Sequence, residues 1–140
     1  MFKVLRSKKG EGYIDVCVSI LVIMMVLVIA MNVFSFLTLK IDMDYFAQEM
    51  VDIAALHGTT SSDELQSRYD ALCDEVGFEP DVAWEADYIY DSNVQYGDPI
   101  EVKLTYQASI QGLGAVKLPV TLTTYYSGLS RNYWKQPQVE

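Results

Sequence analysis

Residues 16–39 form 24 consecutive positions without a charge, a proline or a glycine. As a helix they extend about 36 Å at ~1.5 Å per residue, enough to cross a hydrocarbon layer of ~30 Å with some tilt. A secretory signal's apolar region is shorter, about 7 to 15 residues, and a small-residue cleavage site follows it. No convincing Ala-x-Ala site follows this run. The stretch therefore reads as a retained transmembrane helix, 13–40, preceded by a basic cytoplasmic leader over 1–12.

Charge gives the orientation. Lys3, Arg6, Lys8 and Lys9 precede the run, against Glu11 and Asp15. Residues 41–140 carry 5 basic and 17 acidic side chains, a net charge of −12. Lysine and arginine beside a span favour the cytoplasmic side. The N-terminus is expected inside and about 100 residues outside. An acidic exterior argues against nucleic acid, whose phosphates require clustered cations.

No proline or glycine interrupts residues 13–57, so a single rod of roughly 67 Å is expected. Beyond the span its pattern becomes amphipathic. Phe36, Leu39, Met43, Phe46, Met50, Ile53 and His57 recur at three- and four-residue spacing, while Asp42, Gln48, Glu49 and Asp52 fall off the stripe. Such a stripe needs a partner surface. Gly58 stands where a helix C-cap is expected.

A second helix follows. Ser61 with Glu64 makes a capping-box pattern, and Glu64 with Arg68 a four-residue ion pair. Leu65, Tyr69, Leu72, Cys73 and Val76 form its apolar face, and Gly77 ends it. After Pro80 the period changes to two. Three strands are expected, over 82–90, 100–110 and 116–122, with turns at 91–99 and 111–114. Pro119 marks the third as an edge strand or a bulged one. The fold expected is α+β: a long N-terminal helix (transmembrane first half, amphipathic second half), a second short helix and a three-stranded antiparallel sheet. The exterior domain covers 41–130. A flexible tail is expected over 131–140, with loose order setting in from Ser127.

No catalytic constellation is visible, and no cofactor or small-molecule substrate is implied. His57 is the only histidine, and a lone histidine near a helix C-terminus suits the helix dipole better than a ligand role. Asp91, Asn93 and Asp98 do not match the spacing of a calcium loop and read as a solvated acidic turn. Cys73 belongs to a buried face, and Cys17 lacks the small preceding residue of a lipid-attachment site. Asn32, with Ser35 and Thr38 nearby, is either a helix–helix contact or a tolerated polar residue near the outer interface. Tyr125, Tyr126, Tyr133 and Trp134 either cover the core or form a contact surface.

The front of the chain carries a resemblance. In Lys8-Lys9-Gly10-Glu11-Gly12-Tyr13-Ile14-Asp15 a basic leader ends in glycine, and an acid stands five positions after it. This is similar to the site at which prepilin peptidases cut type IV pilin-like proteins. More narrowly it resembles the TadE-like small pilins, minor pilins or pseudopilins. It also resembles an uncharacterised Gram-positive family with a Gly-Glu-Gly-Tyr-Ile-Asp motif before the span. The resemblance implies processing at Gly10 and Glu11, and an assembly role for Asp15, whose carboxylate would meet the terminal amine of a neighbouring subunit. Its implied partners are a prepilin peptidase, other pilin-like subunits, an assembly platform and membrane lipid. Two positions depart from the pilin pattern: Asp replaces the usual Glu at mature position five, and Glu replaces the frequent Phe at position one. The plainer reading of Asp15 is a carboxylate marking a helix N-terminus at the interface, where the dipole favours it. The corresponding function is an uncleaved signal-anchored exterior binding module.

Overall fold

The structure, a computed structural model, describes residues 8–111 and 117–135. The leader residues Lys3 and Arg6, the second predicted turn beyond Gln111, the first residue of the third predicted strand and the last five residues lie outside that description.

Helix α1 runs unbroken over Lys8–His57, 50 residues. It starts earlier than expected, because Gly10 and Gly12 are both accommodated within its first turns. Helix α2 follows over Asp63–Val76. Strands β1 (Asp81–Ala86), β4 (Pro99–Gln111) and β5 (Lys117–Leu129) form an antiparallel sheet in the order β1-β4-β5. The short strands β2 (Tyr88–Tyr90) and β3 (Asn93–Val94) pair separately. The fold is α+β, with a long N-terminal helix, a short second helix and a three-stranded antiparallel sheet.

The core lies between α1 and the inner face of that sheet. Met43, Phe46 and Met50 are buried as the periodicity predicts, while Phe36, Leu39 and Ile53 are partly buried against them. Ile100, Val102 and Leu104 on β4 and Leu122 on β5 face them across the layer. Phe46 and Tyr69 meet edge to face, with ring centroids 5.5 Å apart, and thereby join α2 to the same core. Burial also takes in Ala47, Val51, Ala54 and Ala55. These small residues let the sheet approach closely. At Gly128 on β5 an added Cβ would lie 2.6 Å from Val51 Cγ1.

Several local expectations are corrected. The cap of α2 is Ser62, not Ser61: its side chain accepts the Leu65 N–H at 3.1 Å. The Ser61 N–H is instead taken by Thr59 Oγ1 at 3.2 Å, so Ser61 belongs to the preceding turn. Arg68 does not pair with Glu64. It crosses to α1, meeting Glu49 Oε2 at 2.9 Å and the Tyr45 hydroxyl at 3.3 Å. The first predicted strand divides after Ala86. Val82, Trp84 and Ala86 pack inward, but Tyr88 is exposed and pairs with β3 instead. β5 is the edge strand that Pro119 implies, yet it continues to Leu129.

Of the expected tail, residues 131–135 fall within the described structure. Residues 130–134 close the C-terminal end of α1. Gly58, at φ +64°, reverses the chain, and the Thr59 N–H returns to the Ala54 carbonyl at 3.2 Å, which completes a Schellman-type cap. The carbonyls of Ala55, His57 and Gly58 bond to the chain end. Ala55 O accepts the Arg131 N–H at 2.7 Å, His57 O accepts Asn132 Nδ2 at 2.8 Å, and Gly58 O accepts Trp134 Nε1 at 2.9 Å. A helix terminus leaves four such carbonyls without an intrahelical partner. That need, invisible to hydropathy, orders the segment through Trp134.

Candidate functional site: the span and its junction with the domain

Every residue over 12–29 is exposed, although nearly all of them are apolar. A soluble surface rarely carries a continuous apolar patch beyond a few hundred square ångströms. The first half of α1 is long and apolar enough to cross a membrane, and none of its most hydrophobic window is buried in the protein. Its polar side chains are satisfied within the helix. Asn32 Nδ2 donates to the Val28 carbonyl at 2.8 Å, Ser35 Oγ to Met31 O at 3.1 Å, and Thr38 Oγ1 to Phe34 O at 3.0 Å. These backward bonds remove the main penalty for polar groups in lipid. They give Asn32 a role within its own helix.

Gly10 and Glu11 lie in the first turns of α1, and Asp15 follows one turn after Glu11. Asp15 is exposed and forms no ion pair among the described residues. The sequence thus places these three on one continuous helical segment. The predicted packing residues cluster separately, some twenty or more positions further on.

The domain takes hold of α1 before the apolar run has ended. A hydrocarbon layer of ~30 Å accounts for about 20 helical residues, four fewer than the run contains. The surplus turn holds Phe36 and Leu39, and both pack against the domain core. Phe36 and Leu39, on the N-terminal side of the boundary expected at residue 41, thus already touch the domain core.

Directly after this turn, Lys40 ties the helix to β5. Its Nζ lies 3.0 Å from Asp44 Oδ1 and donates to the Thr123 carbonyl at 3.4 Å and to Thr124 Oγ1. The Thr124 hydroxyl, nearly buried, donates to Asp44 Oδ1 at 2.9 Å. A cation, a carboxylate and a hydroxyl from two elements thus close on one another where α1 meets β5. Sequence reasoning counted Lys40 only as the end of the span. A Lys–Asp spacing of four was a visible signal; the partner on β5 was not.

On α2, burial pushes the Cys73 thiol above its usual range and lifts the Tyr69 hydroxyl to about 12. Tyr69 donates to the Pro80 carbonyl at 3.1 Å. Both groups are therefore neutral packing elements at ordinary pH, as the buried-face reading of Cys73 implies. Asp91 sits at φ +50° in the turn between β2 and β3, while Asn93 lies within β3. Among the late aromatics, Tyr125 and Tyr133 are exposed, and Trp134 packs edge to face on Tyr90 with centroids 6.3 Å apart. A hollow of about 420 Å³ between α2 and β1 is lined by residues that include Met50, Ser62, Tyr69, Asp81 and Trp84.

The class these features define is an α+β domain carried on one helix long enough to cross a membrane. The chain belongs to the family described as a domain of unknown function (DUF4320), which matches residues 20–135. That match begins after Asp15 and so covers most of the span and the whole described domain, but not the Gly10–Glu11 junction. No curated protein and no solved structure matches the chain.

Proposed function

We propose that the protein is a structural pilin-like subunit, a minor pilin or pseudopilin, of a type IV-like pilus, Tad-type secretion system or conjugation apparatus. Its N-terminus would lie in the cytoplasm and its domain outside. The observation that carries this reading is α1 itself, one 50-residue helix that is exposed and apolar first and the core of an α+β domain afterwards. A flexible tether would anchor a domain equally well. A continuous rod instead fixes the domain relative to the span, which is useful where spans pack together in register.

The spacing of Gly10, Glu11 and Asp15 supports the same reading. A prepilin peptidase cutting after Gly10 would leave the amine of Glu11 as the new terminus. The exposed carboxylate of Asp15 would then be free to meet that amine on a neighbouring subunit. Asp15 stands at the edge of the apolar run, where a charge costs less than the ~2.5–3.5 kcal/mol of a mid-bilayer position, and pairing with an amine would lower that cost further.

A second reading, an uncleaved anchor bearing an exterior binding module, has one observation in its favour. α1 runs through the Gly10–Glu11 bond, which must unwind before a peptidase can reach it. Gly10 and Gly12 reduce that obstacle, since each weakens a helix by roughly 1 kcal/mol relative to alanine.

Crosslinking in membranes separates the two. Loss of one partner from a buried charge pair is worth roughly 3–5 kcal/mol. The subunit reading therefore predicts that Asp15→Asn inserts and folds but crosslinks poorly to other subunits, while Asp15→Glu crosslinks at least as well as wild type. Equal yields for Asp15→Asn and wild type would exclude the assembly role of Asp15.

A further inference from the structure

β5 and the two residues that follow it descend α1 contact by contact. The Arg131 N–H meets the Ala55 carbonyl, Gly128 backs onto Val51, and Thr124 bonds to Asp44. Between the first and last of these contacts the strand advances seven residues and the helix eleven, about 23 Å and 16 Å. The two elements therefore run in the same direction, inclined to one another by roughly 45°. Below Thr124 seven residues of β5 remain, down to Lys117, and they stay paired with β4 as far as Gln111. At the same pitch the hairpin reaches roughly to the level of residue 33 of α1.

That level is membrane. Counted from residue 16, a ~30 Å hydrocarbon layer ends near Ser35, and a headgroup layer of about 5–7 Å ends close to Lys40. The lower half of the hairpin stands beside this zone rather than above it. Phe36 and Leu39 already touch the domain there.

The chemistry of the hairpin agrees with its position. Residues 41–101 hold 16 acidic side chains against the single base Arg68. Residues 102–139 hold none, and carry Lys103, Lys117, Arg131 and Lys135. The exposed positions of the lower half, Gln107, Ser109, Pro119 and Thr121, are all uncharged. Carboxylates there would be repelled by anionic headgroups, whereas neutral polar groups and lysines are favoured.

We propose that the lower half of the β4–β5 hairpin, residues 105–109 and 119–123, rests in the phospholipid headgroup layer. The domain is thus held against the bilayer at two places, the span and the hairpin, and its tilt is fixed. The proposal rests on the reading of α1 as a membrane span.

The test uses the full-length chain carrying Cys17→Ser and Cys73→Ser, one copy per nanodisc of mixed zwitterionic and anionic phospholipid. A fluorophore is placed on a single cysteine at Gln107 or Thr121, at Glu85 or Ser127 as upper controls, or at Val26 within the span. Spin-labelled lipids quench it, from the headgroup in one series and from the acyl chain in another. The proposal predicts several-fold stronger headgroup quenching at 107 and 121 than at 85 and 127. Adding Thr121→Glu should weaken the quenching at 107. Uniformly weak quenching at the four domain positions, with Val26 quenched from the acyl chain, would overturn the hairpin contact alone. Absence of acyl-chain quenching at Val26 would overturn the spanning reading and the proposal with it. Quenching at 107 unaffected by Thr121→Glu would also count against it.

Discussion

The indole N–H of Trp134 donates to the carbonyl of Gly58 at 2.9 Å, joining residues 76 positions apart in the chain. With Arg131 and Asn132 on the neighbouring carbonyls, the end of the chain becomes the cap of its longest helix. The rod and the sheet are therefore locked at the top by Trp134 and midway down β5 by the Lys40–Asp44–Thr124 cluster.

Gly58 should be the less replaceable of two capping glycines. Both Gly58 and Gly77 have left-handed φ, at +64° and +77°. An alanine Cβ at Gly77 would meet nothing within 4 Å, whereas at Gly58 it would lie 2.7 Å from Asn132 Cβ and 2.8 Å from Trp134 Nε1. Gly77→Ala should cost about 1 kcal/mol, the left-handed penalty alone. Gly58→Ala should cost clearly more, and denaturant unfolding of the detergent-solubilised protein measures the difference.

The close approach of β5 to α1 makes a paired prediction. Gly128→Ala should destabilise by roughly 1–3 kcal/mol, because the new methyl overpacks against Val51. Val51→Ala should lose about 1–3 kcal/mol of burial on its own. Combined, the two should cost less than their sum, since each relieves the other's defect. A double-mutant cycle on chemical denaturation reads the coupling, and simple additivity would place the crowding elsewhere.

Arg68 tests a corrected contact. Its guanidinium, held ionised above its ordinary range chiefly by the hydrogen bond to Glu49, bridges α2 to α1 at 2.9 Å. A pair this accessible contributes at most about 1 kcal/mol. Glu49→Gln should lower stability by a few tenths to ~1 kcal/mol, and the loss should shrink at high salt. Glu64→Gln should leave the Arg68 contribution in place, as thermal melts at two ionic strengths will register.

What the sequence disclosed, and what it hid, follows from the range of the interactions. The helix, its apolar half and the stripe through Met43, Phe46 and Met50 were legible because they depend on spacing within one segment. Ala55 was not, since alanine suits either face of a helix and only the approach of Gly128 decides. The exchange of Ser61 for Ser62 as cap turned on Thr59 claiming the Ser61 N–H. The order of 130–134 depended on carbonyls of a helix more than seventy residues away. The roles of Gly10, Glu11 and Asp15 rest on a motif alone.

Alkaline pH should loosen the α2 end of the domain. Burial raises the Tyr69 hydroxyl from 10.0 to about 12. An acid raised in the folded state binds its proton more tightly there than when unfolded. Its contribution is thus complete below pH ~10 and is lost as pH rises toward about 12. Tyr69→Phe should flatten this part of the pH–stability curve, and tyrosinate absorbance alongside circular dichroism follows both quantities.

The central claim, a processed subunit rather than a permanent anchor, is tested most directly by the mass of the N-terminal peptide. The protein is to be extracted from membranes of cells with an active prepilin peptidase. Cleavage after Gly10 predicts a mature terminus at Glu11, and Gly10→Ala should leave the leader attached. An intact leader on the wild-type protein in those cells would contradict the account and favour the uncleaved anchor.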